Sequence, residues 1–66
     1  MTITLNGERK DVPDRTTAAG LLQQLDIKPG HVVVEVDMDV IPRERLDECE
    51  LRDGATVELI KFVGGG

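Results

Sequence analysis

The first six residues alternate: Ile3 and Leu5 face one side of an extended chain, and Thr2, Thr4 and Asn6 face the other. A period of two built on β-branched residues predicts a half-buried strand. Asn6-Gly7 follows, a strong hairpin signal because both central residues of a type I′ turn need positive φ. Glu8 to Val12 returns as a second strand, its edge protected by Glu8, Arg9, Lys10 and Asp11, and Pro13 ends it. The period then lengthens. Ala18, Leu21, Leu22 and Leu25 recur at i, i+3, i+4 and i+7, which predicts one apolar stripe on a helix from Ala18 to Leu25. Thr17 is the expected N-cap, with Asp14 and Thr16 as competitors. Gly20 costs that helix about 1 kcal/mol against alanine, and its missing Cβ leaves room for a close approach to a sheet.

Asp26 to Gly30 forms the helix exit, punctuated by Pro29-Gly30. His31 to Val36 reads as a third strand, with Val32, Val34 and Val36 on the buried face and Val33 and Glu35 outward. Asp37-Met38-Asp39 is a tight polar turn, and Val40-Ile41-Pro42 is a short extended piece that Pro42 confines to an edge or a strand end. Arg43 to Leu51 has no clean period. It reads as a connection with a turn of 3₁₀ helix, pinned inward by Leu46 and Leu51. Asp53-Gly54 turns the chain into a last strand, Thr56 to Val63, with Val57 and Leu59 on one face and Glu58, Ile60 and Phe62 on the other.

The order strand, strand, helix, strand, short strand, strand lays one helix across one face of a mixed sheet of four to five strands. The helical crossover permits the first and last strands to lie parallel at its centre. This α+β arrangement is a β-grasp domain, expected over residues 1–62. A ferredoxin-like fold would need a second helix, and no second stripe is visible.

Sixty-six residues make one small domain, with little room for both a core and an internal catalytic pocket. The net charge of −5 disfavours nucleic acid and anionic membranes, which demand clustered Lys and Arg, and suits a partner with a basic docking face. No signal peptide or membrane-length apolar run is visible. The single cysteine, Cys49, allows no internal disulfide and fits a reducing cytoplasm.

Catalytic constellations are scarce. The carboxylate pairs Asp37 with Asp39 and Asp47 with Glu48 sit in turns and connections, where they read as solvated charge. His31 has no second His or Cys beside it for a metal, and Cys49 has no recognisable base. Phe62 is the sole aromatic, so no stacking platform for bases exists.

Two features remain. Ile60 and Phe62 project from the uncovered face beside Val33, an apolar patch of the kind that docks partners; twist or a dimer would bury it instead. The patch leads into Val63-Gly64-Gly65-Gly66. Three glycines bury nothing and lose the most entropy on ordering. They read either as a flexible linker end, 63–66, or as a bare tail that threads a tunnel and presents the Gly66 carboxylate to an enzyme.

Over its whole length the chain resembles the thiamine-biosynthesis sulfur carriers of the ThiS type, within the ThiS/MoaD group of ubiquitin-like β-grasp proteins. The resemblance rests on Leu5-Asn6-Gly7, Leu21-Leu22-Gln23-Gln24-Leu25, Ile41-Pro42-Arg43-Glu44, the Asp53-Gly54 turn and the Val63-Gly64-Gly65-Gly66 end. Leu46 stands where that family often has tryptophan, and Gly20 where a helix-favouring residue is usual. The resemblance implies a protein co-substrate with no bound cofactor. A ThiF-type adenylyltransferase, using ATP and magnesium, would activate the Gly66 carboxylate. A cysteine desulfurase or persulfide protein would then supply sulfur, and the resulting thiocarboxylate would serve a ThiG-type thiazole synthase. Gly64, Gly65, Ile60, Phe62 and Val33 would contact these partners. A MoaD-like molybdopterin-synthase small subunit shares the glycine ending, and a β-grasp binding module with an incidental tail is a further alternative.

Overall fold

The alternating N-terminus forms strand β1 (Thr2–Leu5), which pairs antiparallel with β2 (Glu8–Asp11) in a computed structural model that describes residues 1–62. The predicted glycine tail, 63–66, lies outside the described residues. Asn6 and Gly7 take φ of 48° and 83° at the hairpin, as a type I′ turn requires. A helix, α1 (Ala18–Gln24), follows. Strands β3 (Val32–Val36) and β4 (Asp39–Ile41) form a second hairpin, and β5 (Thr56–Lys61) completes a five-stranded sheet of order β2-β1-β5-β3-β4. β1 and β5 run parallel at the centre, and every other pairing is antiparallel. This is the β-grasp topology expected from the element order.

Two short side chains fasten the central parallel pair at its ends. Asp53 Oδ1 accepts the Thr2 N–H (2.8 Å) while the Gly54 N–H donates to the Thr2 carbonyl (2.7 Å). At the other end the Asn6 N–H donates to the Val57 carbonyl (2.9 Å), and Asn6 Oδ1 accepts the Leu59 N–H (2.8 Å). Each side chain thus continues the ladder past the point where its backbone turns away.

The helix is short, and its N-terminus is satisfied from three directions. The Thr17 hydroxyl accepts the Gly20 N–H at 3.0 Å, the N-cap predicted from sequence. The Ala18 and Ala19 N–H groups donate to the carbonyls of Cys49 (2.8 Å) and Leu46 (3.0 Å). The aperiodic connection is therefore the other half of the cap. It holds a 3₁₀ turn at Arg43–Arg45 and buries Leu46 and Leu51, as expected. Thr16 is buried with its hydroxyl donating to the Pro13 carbonyl (2.6 Å), and its own carbonyl accepts the Leu51 N–H (2.8 Å).

Gly20 plays a different part from the one the sequence offered. A Cβ there would meet Thr17 Oγ1 at 3.3 Å and Thr16 Cγ2 at 3.8 Å, so the glycine clears space for the cap, not for the sheet. Several boundaries also shift inward. Leu25 is the C-cap, His31 belongs to a 3₁₀ turn at Pro29–His31, and β5 ends at Lys61 with Phe62 just beyond it. Ile3, Leu21, Leu22, Val34 and Val57 are the largest fully buried side chains. They join the helix stripe to the β1–β5–β3 centre of the sheet, which leaves the opposite face of the sheet without the helix.

Candidate functional site

Register decides what the uncovered face displays. Directly opposed residues in an antiparallel pair share a face. Val57 opposes Val36 and Leu59 opposes Val34, which forms the core side. The intervening pairs, Glu58 with Glu35 and Ile60 with Val33, must therefore point away from the helix. Across the hairpin Glu35 also opposes Val40. The outward face thus carries an acidic row, Glu58–Glu35, ending on Val40, and beside it an apolar row, Ile60–Val33.

Exposure follows the register. Ile60 is 49% exposed, Phe62 65% and Val40 61%, while Val33 and Glu35 are partly covered. The Phe62 N–H donates to the His31 carbonyl (3.1 Å), so the backbone pairing of β3 with the last strand persists one step beyond Lys61. The structure brings Ile60, Val33 and Phe62 to one region, as the sequence anticipated. Gly64, Gly65 and Gly66, the remaining predicted contacts and the predicted reacting group, lie outside the described residues.

Val40 was not anticipated. A three-residue strand shows no readable period, and only its pairing with Glu35 places it on this face. Met38 is 89% exposed at the neighbouring hairpin tip with φ of 74°.

A depression of about 340 Å³ borders Gly30, Val40, Arg43 and Phe62. Among the described residues Arg43 is the one charged side chain lining it, and they place no acid–base pair there. Cys49 is half-buried against the core, and desolvation pushes its thiol above the ordinary cysteine range. That favours the inert thiol over the nucleophilic thiolate. Among the described residues no three His, Cys, Asp or Glu side chains are grouped to hold a metal ion, and no helix is long and apolar enough to cross a membrane.

Comparison with known proteins agrees with the fold. Residues 3–66 match the ThiS family. The chain is 39% identical to the sulfur carrier protein ThiS of Bacillus subtilis, over 97% of this chain and 98% of that one. The crystal structure of a thiamine biosynthesis protein (ThiS) from Geobacter metallireducens superposes with a TM-score of 0.86 at 33% identity, covering 100% of both chains. A thiazole synthase of Paramagnetospirillum magneticum is 29% identical across the whole of this chain, and one of Magnetococcus marinus 36%. The chain spans only a fifth of the length of these two relatives. With a family match running nearly from end to end and a full-length relative on the same fold, the chain belongs to the ThiS family, a branch of the ubiquitin-like β-grasp proteins.

Proposed function

We propose that this protein is a sulfur carrier of thiamine biosynthesis, not an enzyme, and that the carboxylate of Gly66 is its working group. The observation that carries this reading is the apolar patch made by Ile60 on β5, Val33 opposite it on β3 and Phe62 just past β5, which leads in the sequence to Gly64-Gly65-Gly66. The ThiS family match supports the thiamine branch over the molybdopterin one. Two thiazole synthases contain a segment similar to this chain, which supports thiazole synthase as the acceptor.

The chemistry follows from the weakness of a carboxylate as an electrophile. A ThiF-type adenylyltransferase joins the Gly66 carboxylate to the α-phosphate of ATP with magnesium and releases pyrophosphate. The terminal sulfur of a cysteine persulfide, from a cysteine desulfurase or persulfide protein, then attacks the acyl carbon and expels AMP, leaving an acyl disulfide. A second thiol attacks the donor's sulfur, forms a disulfide with it and releases the thiocarboxylate. That anion is a better nucleophile than the carboxylate and delivers sulfur at a ThiG-type thiazole synthase. The carrier supplies reach and a docking handle. Four residues from Val63 span at most about 13–14 Å. Ordering them costs about 1–2 kcal/mol each, a cost that burial of the Ile60 face offsets on docking.

Intact-mass measurement tests this reading. After incubation with a ThiF-type enzyme, ATP, magnesium, a persulfide donor and a thiol, the protein should gain the mass that replaces one oxygen by sulfur, located at Gly66 by fragmentation. An unchanged mass, or a mature protein that continues past Gly66 without processing, would leave a β-grasp binding module as the better description.

A further inference from the structure

The open face combines two features that do not suit one another in the free protein. Glu58 and Glu35 stand directly opposite on β5 and β3, a like-charge placement that destabilises a sheet. Side chains so opposed have Cβ atoms about 4.5–5.5 Å apart. Among the described residues one ion pair is present, between the Met1 amine and Asp14 at 3.2 Å, and neither glutamate takes part in it. The two carboxylates adjoin Ile60 and Val33 along the strands and Val40 across them. A purely apolar partner that covered Ile60, Val33 and Val40 would strip water from both carboxylates and give nothing back, an expensive outcome.

We propose that this face is a composite recognition surface for a partner protein that sets an apolar hollow over Ile60 and Val33 and places arginine over the Glu35–Glu58 pair. A guanidinium suits two neighbouring carboxylates because its planar fork carries five donors, whereas lysine offers a point charge. The repulsion tolerated in the free sheet becomes an attraction once that cation arrives, so the pair gives the face selectivity for basic partners. The surrounding field has the same sign, since the chain carries a net charge of −5, and it speeds the approach of a basic surface at low salt. This inference deepens the carrier reading and rests on it for the identity of the partners.

The test measures affinity of the full chain for two probes, a ThiF-type adenylyltransferase and a ThiG-type thiazole synthase, at low and at moderate salt. For at least one probe, the double variant Glu35→Gln/Glu58→Gln should lose tenfold or more in affinity at low salt and lose most of its salt dependence. Ile60→Ala should weaken binding at both salts alike. The double variant should also melt at a higher temperature than the wild type, which shows that its lost binding is not lost folding. Unchanged or tighter binding of the double variant to both probes, in a chain still loaded with sulfur by the mass assay, would overturn this proposal and leave the carrier reading standing. Absence of both binding and loading in the wild type would overturn the two together. Sedimentation at high protein concentration should show a monomer; a dimer abolished by Ile60→Ala would assign the face to a second copy instead.

Discussion

At Asp26 the helix ends in a Schellman arrangement: the Ile27 N–H donates to the Leu22 carbonyl (2.9 Å) and the Asp26 N–H to the Gln23 carbonyl (3.1 Å). The arrangement needs a left-handed residue, and Asp26 supplies it with φ of 58°. Glycine fills that position without strain, and an aspartate also places negative charge at the negative end of the helix dipole. Asp26→Gly should therefore raise the unfolding free energy by about 0.5–1 kcal/mol in urea titration. The β3–β4 turn repeats the situation, with Asp37 at φ of 50° and Met38 at 74°. Asp37 is retained by its side chain, whose Oδ1 accepts the Thr56 N–H at 2.9 Å. Nothing in the structure explains a methionine at Met38. Cys49 makes a third residue-scale case. Its thiol titrates above the ordinary range in the folded chain because burial disfavours the thiolate. The folded state therefore holds that proton more tightly than the unfolded one. The resulting stability is present below the ordinary thiol pKa and is lost as pH rises through the folded value. Alkylation by iodoacetamide near pH 8 should accordingly run slower in the native protein than in urea, and equal rates would place the thiol in open solvent.

Elements in this protein are held as much by what ends them as by what fills them. The helix has seven residues, too few to persist alone, and its first N–H groups depend on Thr17, Leu46 and Cys49. Thr17→Ala should cost about 1 kcal/mol in chemical denaturation. Asn6→Ala removes the acceptor of the Leu59 N–H and the side chain that tolerates φ of 48°; it should cost about 1–2 kcal/mol, more than a substitution at exposed Glu8. The sequence showed strand, helix and cap because each leaves a local signature: alternation in Ile3 and Leu5, the stripe through Leu21 and Leu22, a threonine before it. It hid the contacts of Leu46 and Cys49 with the helix, since these join backbone groups 27 and 31 residues apart and any side chain can serve. Gly20 was misleading for a related reason. A glycine announces missing volume, but only the fold shows that Thr17 Oγ1 uses the space. The proposed docking face was legible to the extent that β5 was: Ile60 and Phe62 follow from Val57 and Leu59 by parity. The acidic pair and Val40 required the cross-strand register of β3, which two separate stretches of sequence do not declare.

At the scale of the molecule, the carrier reading assigns folding and reactivity to different residues. The buried core is assembled between Ile3 and Val57, whereas the proposed reacting group is Gly66. The described core and the ladder bonds that fasten β5 to β1 and β3 are made by residues within 1–62. Gly65→Val should therefore leave the urea midpoint within the range of ordinary surface substitutions, about 0.5 kcal/mol. It should still bind the adenylyltransferase through the Ile60 face. On the carrier reading its Cβ and two methyl groups would widen a tail that has to enter the adenylyltransferase, and pyrophosphate release from ATP should fall by orders of magnitude. Ile60→Asp should fail the other way: it puts a third carboxylate beside Glu58 and Glu35, weakens docking, and leaves the rate at saturating carrier near that of the wild type. A fall in maximal rate from the tail and a rise in KM from the face would separate the two roles. If both variants changed the same constant, body and tail would be a single binding unit, and the division of labour drawn from the register of β5 would be wrong.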